Sequence, residues 1–169
     1  LFAREGAKVV AADINLDAAL ETRDIISREK GICAVVEADV SENGSVKALV
    51  DRCIEAFGRV DILHNNVGIL ETGGPVETSE ESWDRINRVN LKSLFLTCKH
   101  VLTLMEDQGG GAIVNISSTA GIRYQGVPYI AYASSKAAVI QFTKSIALQY
   151  ADKNIRANVI LPGHVDTPM

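Results

Sequence analysis

Ala112-Ile113-Val114-Asn115-Ile116-Ser117-Ser118 is a short apolar run that follows three glycines, Gly109-Gly110-Gly111, and closes on two hydroxyls. Its length and composition predict a strand over Ala112 to Ile116 that is buried on both faces, as in a parallel sheet. Downstream, a loop from Thr119 to Ile130 leads to Tyr132-Ala133-Ser134-Ser135-Lys136 and then to Ala137–Tyr150. That last segment is rich in helix formers, with apolar residues at Val139, Phe142, Ile146 and Leu148. It predicts a helix, followed by a strand over Asn154 to Leu161 that ends at Pro162-Gly163. Upstream, Ser79 with Ser82 or Glu81 nearby caps one long helix running to about Met105.

The N-terminal part repeats this alternation. Lys8 to Ala12 is an apolar run ending in Asp13, followed by a helical stretch from Asp17 to Lys30 that stops at Gly31. Ile32 to Ala38 predicts a second strand, ending in Asp39-Val40. Ser41 to Phe57 predicts a helix stopped by Gly58, and Val60 to Leu63 a third strand leading into His64-Asn65-Asn66-Val67-Gly68. Leu1 to Gly6 reads as the last turn of a helix capped by glycine. Strand and helix alternate throughout, so the expected fold class is α/β, a doubly wound parallel sheet. Ligands bind such sheets beyond the carboxyl ends of the strands, where Asp13, Asp39, Asn66, Ser118 and the residues after Pro162 lie.

Composition narrows the function. The chain has 169 residues, 47% hydrophobic and 22% charged, with a net charge of -4. This suits one soluble domain spanning residues 1–169, and dispersed basic residues give no nucleic-acid partner. No apolar run has membrane-spanning length and no signal peptide is visible, so no membrane partner is expected. Cys33, Cys53 and Cys98 are odd in number and widely spaced, which predicts reduced thiols in a cytoplasmic protein. The three histidines lie in unrelated segments without ligand spacing, so no metal site is expected.

Tyr132 and Lys136 are four apart and share one face of the predicted helix. A phenol titrates near ~10, too high for proton transfer at neutral pH, and a neighbouring ammonium favours the phenolate. As a surface helix pair the same spacing would mean nothing. What decides is its company: Asn65-Asn66-Val67-Gly68, Asn115-Ile116-Ser117-Ser118, Tyr132-x-x-x-Lys136 and Pro162-Gly163, in that order. With these motifs the chain resembles the short-chain dehydrogenase/reductase family across nearly its whole length. Val67 stands where the family usually has Ala. The Ser118-to-Tyr132 spacing is one residue longer than the family's, so Ser117 stays open as a substitute for Ser118.

The resemblance implies a Rossmann-like topology and an NAD(P)-dependent oxidoreductase acting on a small-molecule alcohol or ketone. It implies catalytic roles for Asn90, Ser118, Tyr132 and Lys136. Tyr132 would be the general acid/base, and Lys136 would lower its pKa and bond the nicotinamide ribose. Ser118 would hold the substrate oxygen, and Asn90 would support a water linking Lys136 to solvent. It implies cofactor contacts from Asp13, Asp39, Val40, Asn66, Tyr132, Lys136, Val165 and Thr167. A carboxylate at Asp13, with neither Ile14 nor Asn15 basic, favours NAD over NADP.

Without the resemblance, Ser117 and Ser118 read as turn caps, Asn90 as a surface residue and Asp13 as a turn or N-cap residue. By the same resemblance the family's first strand and its glycine-rich phosphate-binding turn would precede Leu1, and a further segment would follow Met169. The first strand would lie between the Asp13 and Leu63 strands, so the chain alone is expected to be unstable or inactive unless those two pair directly. Full-length family members imply a homo-oligomer. A truncated, non-catalytic interaction or decoy subunit is the alternative reading, and a nucleotide-independent flavodoxin-like domain would leave the four motifs unexplained. Ile122, Tyr124, Val127 and Tyr129 point to an apolar or cyclic alcohol.

Overall fold

The computed structural model describes residues 1–165. The chain divides into two compact units, one from Leu1 to Val60 and one from Asp61 onward. In the first, a single 3-10 turn, Phe2–Glu5, is closed by Gly6 at φ 89. Strand β1 (Val9–Asp13), helix α1 (Leu16–Arg28), strand β2 (Cys33–Glu37) and helix α2 (Asn43–Phe57) follow. β1 and β2 pair in parallel, from Val9 opposite Cys33 to Asp13 opposite Glu37. Asn15 caps α1, its side chain accepting from Asp17 N (3.0 Å) and Ala18 N (3.4 Å). Ala19, Val46 and Val50 are buried here.

One expected stop is corrected. The left-handed residue after α1 is Lys30, at φ 62, rather than Gly31. Gly31 is needed for space: a Cβ there would lie 2.7 Å from Ile26 Cγ2. Backbone geometry and packing thus divide between neighbours a role that the sequence assigns to glycine alone.

The second unit holds β3 (Ile62–Asn65), α3 (Glu80–Asn87), α4 (Ser93–Asp107), β4 (Gly111–Ile116), α5 (Ile130–Gln149) and β5 (Ile155–Ile160). The strands form a parallel sheet in the order β3-β4-β5. α4 packs on β3 and β4, and α5 packs on β4 and β5. Ile86, Val101, Met105, Ile113, Val139 and Ile155 make the core. Both ladders are parallel with intervening helices, the Rossmann-like α/β pattern expected.

Two boundaries move for physical reasons. β3 starts and ends two residues later than predicted, because Asn65 is a buried member of the strand rather than part of the loop. The long helix expected from Ser79 to about Met105 is interrupted. α3 and α4 are joined by a π-helical turn, Arg88–Lys92, which contains Asn90. Such turns insert a residue into the helical ladder and often mark functional sites. The predicted cap is observed, with Ser79 Oγ accepting from Ser82 N at 3.1 Å.

Candidate active site

A buried polar chain ties the second unit together beneath the strand ends. Thr97 Oγ1 donates to Asn65 Oδ1, Asn65 Nδ2 donates to Asn115 Oδ1, and Asn115 Nδ2 donates to Thr143 Oγ1, each at 2.9 Å. Thr143 Oγ1 donates onward to Val139 O at 2.7 Å. The four side chains come from α4, β3, β4 and α5, and all are buried. Polar groups in a core must be paired, so this chain fixes the register of two helices against two strands.

Above it, α5 carries Tyr132 and Lys136 on successive turns. Lys136 is 4% exposed, an unusual position for an ammonium. Its Nζ donates to Ile116 O at the end of β4 (2.9 Å) and lies 5.7 Å from the centroid of the Tyr132 ring. Burial pulls its pKa down from 10.5 to about 8. The loop after β3 comes close to this group. A Cβ on Gly68 would sit 3.1 Å from Lys136 Nζ and 3.5 Å from Asn90 Oδ1. A side chain there would crowd the ammonium, which would have to give way by a few tenths of an ångström.

Asn90 is fully buried, which removes its reading as a surface residue. It clamps Ile69, accepting from Ile69 N at 2.8 Å and donating to Ile69 O at 2.9 Å. Its second amide hydrogen goes to Ser135 Oγ at 3.1 Å. Ser135 in turn donates to Tyr132 O at 2.7 Å. Asn90 therefore ties the loop after β3 to the first turn of α5, and only an Oδ1 lone pair is left over for the water it is expected to support.

The two serines separate. Ser117 Oγ donates to Lys136 O at 2.6 Å and so anchors α5 to the end of β4. Ser118 Oγ accepts from Ala120 N at 3.1 Å, capping the turn Thr119–Gly121, and keeps its hydroxyl hydrogen for another acceptor. Of the two serines, only Ser118 therefore keeps a hydrogen to donate.

Of the other expected contacts, Asn66 is exposed at the end of β3 and Val165 is exposed beyond β5. Thr167 lies outside the described residues. In the first unit, Asp13 is exposed and accepts from Asn15 N at 2.9 Å, a turn bond that leaves its second carboxylate oxygen uncommitted. Asp39 accepts from Ser41 N at 2.8 Å, and Val40 beside it is half-buried. The sequence reading missed Gly68, Ile69 and Ser135 as parts of the site. Ser135 sits inside the Tyr132–Lys136 motif, at the helical spacing that allows a bond back to residue 132, and so was within reach.

The buried ammonium makes a pH signature. Unfolded, Lys136 holds its proton up to about 10.5; folded, only to about 8. Between these values the unfolded chain binds more protons, so stability rises with pH there. Below pH 8 the fold carries the full cost of the buried charge. Lys136→Met removes that cost, so the stability of the wild type relative to this variant should climb by roughly 3 kcal/mol from pH 8 to 10.5. Urea melts of both proteins across that range measure it, and a flat difference would mean the ammonium is not desolvated.

Comparison with known proteins agrees with the geometry. The short chain dehydrogenase family model matches residues 1–169. An uncharacterised oxidoreductase of Thermotoga maritima is 42% identical over 96% of this chain and 64% of its own length. Cyclohexanol dehydrogenase of an Acinetobacter species is 39% identical over 100% of this chain and 67% of its own. The structure of a 7α-hydroxysteroid dehydrogenase complexed with NADH and 7-oxo glycochenodeoxycholic acid superposes with a TM-score of 0.90. It is 36% identical over 95% of this chain and 62% of that one. The chain belongs to the short-chain dehydrogenase family, a family of oxidoreductases, and spans just under two thirds of the Thermotoga relative.

Proposed function

We propose that the chain is the dinucleotide-binding and catalytic part of an NAD-linked alcohol or ketone dehydrogenase, with residues 1–169 serving as a single domain. The observation that carries this reading is the desolvated Lys136 ammonium, held by Ile116 O and facing the Tyr132 ring. Two of its three hydrogens remain after that bond, and the cleared space at Gly68 lies beside it. A buried cation with spare donors suits ribose hydroxyls, so the residues fit a nicotinamide dinucleotide.

When bound, the nicotinamide would supply the hydride exchange. The protein's own part is proton transfer and orientation. Tyr132 gives its phenol proton to the carbonyl oxygen in reduction and takes the alcohol proton in oxidation. Ser118 donates its remaining hydrogen bond to the same oxygen, and Lys136 keeps positive charge beside the phenol. Asn90 holds the Ile69 loop and, through Ser135, the start of α5 in register with these groups. Asp13, Asp39, Val40, Asn66, Val165 and Thr167 are assigned to the dinucleotide, with the free oxygen of Asp13 on the adenosine ribose.

The apolar side chains Ile122, Tyr124 and Val127, exposed on the loop that leads into α5, support an apolar or cyclic alcohol. Two of the related proteins are named for a cyclic alcohol and a steroid. Pairing of full-length subunits is supported by the exposed Phe95 on α4, which lines a groove with Leu91 and Phe142. A cytoplasmic setting is supported by the three cysteines being thiols rather than disulfides among the described residues, one of them, Cys98, pushed up to about 12 by burial. Among the described residues no helix is long and apolar enough to cross a membrane. The non-catalytic alternative is not favoured by the relatives, which are named as dehydrogenases and reductases.

The test is the cofactor. Initial rates with NAD and NADP over a panel of cyclic and open-chain alcohols should favour NAD. Asp13→Ala should shift the ratio of kcat/KM toward NADP by about tenfold, since a carboxylate repels a 2′-phosphate. A wild type that prefers NADP would overturn the assignment of Asp13.

A further inference from the structure

We propose that Tyr129 is a positioning residue for Tyr132, so that the loop from Thr119 to Ile130 sets the orientation of the catalytic phenol. The inference rests on Tyr132 being the acid/base. The phenol hydroxyl of Tyr132 makes no hydrogen bond among the described residues, and the second side-chain torsion of tyrosine is intrinsically soft. Its ring therefore depends on packing for its direction. Tyr129 supplies that packing: the two rings meet edge to face, centroids 5.6 Å apart and planes at 84°. The Lys136 ammonium, at 5.7 Å from the same centroid, is the other constraint.

Tyr129 is itself held at both ends. Its hydroxyl donates to Gln125 Oε1, and Gln125 Nε2 donates to Thr119 Oγ1. Thr119 reaches the end of β5, with both its N (3.0 Å) and its Oγ1 (3.2 Å) on Pro162 O. The backbone is fixed from the other side by a parallel bridge to Gly73. Gly73 N donates to Pro128 O at 2.7 Å, and Ile130 N donates to Gly73 O at 3.0 Å. Gly73 has φ 155, and a Cβ on it would lie 2.8 Å from Thr78 Oγ1, so this bridge needs glycine. A continuous run of contacts thus joins Pro162 through Thr119, Gln125 and Tyr129 to the Tyr132 ring.

Tyr129→Ala removes the ring, while Tyr129→Phe keeps the ring and removes only its hydroxyl anchor. NMR of protein labelled with ring-13C tyrosine, with Tyr132 assigned through Tyr132→Phe, reads the ring contact without turnover. Kinetics then read its consequence. The expected result is a displaced Tyr132 ring signal in Tyr129→Ala and a kcat reduced about tenfold or more, with the cofactor KM unchanged. Tyr129→Phe should leave the Tyr132 signal in place and kcat within about threefold. Should the alanine variant fail to fold, Tyr129→Leu is read the same way. An unmoved Tyr132 signal, or a kcat in Tyr129→Ala equal to that of Tyr129→Phe, would overturn the proposal. A Tyr132→Phe enzyme with unchanged kcat would instead overturn the acid/base role of Tyr132, and the NMR comparison would still report whether the Tyr129 ring contacts that of Tyr132.

Discussion

Replacing Tyr132 by phenylalanine should lower kcat by about 10²–10⁴-fold, the range that a lost general acid/base commands. The substitution removes one oxygen. It keeps the ring that packs against Tyr129 and faces Lys136, and Tyr132 is only half-buried, so the fold should not change. Because Lys136 and the strand ends are untouched, NAD should still bind, and titration of the variant by fluorescence quenching measures this separately from turnover. The combination of retained binding and lost rate is what distinguishes a proton-transfer group from a structural tyrosine. A Tyr132→Phe enzyme keeping more than about a tenth of the wild-type kcat would sink the assignment. The proton would then have to come from elsewhere, with the Ser118 hydroxyl, which keeps its hydrogen, the remaining candidate.

Asn115→Ala should be the most damaging change to stability outside the apolar core. Asn115 is fully buried and sits between Asn65 and Thr143, accepting from one and donating to the other. Truncation leaves an amide hydrogen of Asn65 and an oxygen of Thr143 without partners in a site closed to water, and opens a small cavity. The expected cost is roughly 2–5 kcal/mol, against a total stability of ~5–15 kcal/mol. For a chain of this size that corresponds to a fall in Tm of about 5–15 °C. Asn66→Ala is the matched control. Asn66 is the next residue after Asn65 but is exposed, so its change should stay within about 0.5 kcal/mol. Thermal melts of the two variants side by side test this. Equal melting temperatures would mean that the buried chain contributes nothing.

The contrast between Asn65 and Asn66 shows where sequence reading stops. As a pair of asparagines after an apolar run they look alike, and both read as loop. Burial divides them: Asn65 enters β3 and bonds Asn115, fifty positions away in the chain, while Asn66 stays at the surface. A hydrogen bond over that separation leaves no periodic trace. The π-helical turn at Asn90 is similar. Helix propensity is nearly blind to it, because the inserted residue is stabilised by the Ile69 clamp and Ser135 rather than by its neighbours. The assignment of Ser117 to an anchor and Ser118 to a cap also needed the packed helix, since their sequence context is the same.

What the sequence by itself determined was the alternation of parallel strands and helices, most element boundaries to within a residue or two, the family, and the Tyr132–Lys136 pair. These are local properties: apolar runs of strand length, caps, glycine stops and a four-residue spacing on one helix face. The tertiary structure alone decided how deeply Lys136 is buried, what Asn90 and Ser117 hold, how close Gly68 comes to the ammonium, and that Tyr129 faces Tyr132. Each of these depends on distance between segments remote in the chain. Desolvation and close packing arise only when those segments meet, so no reading of a single segment could supply them.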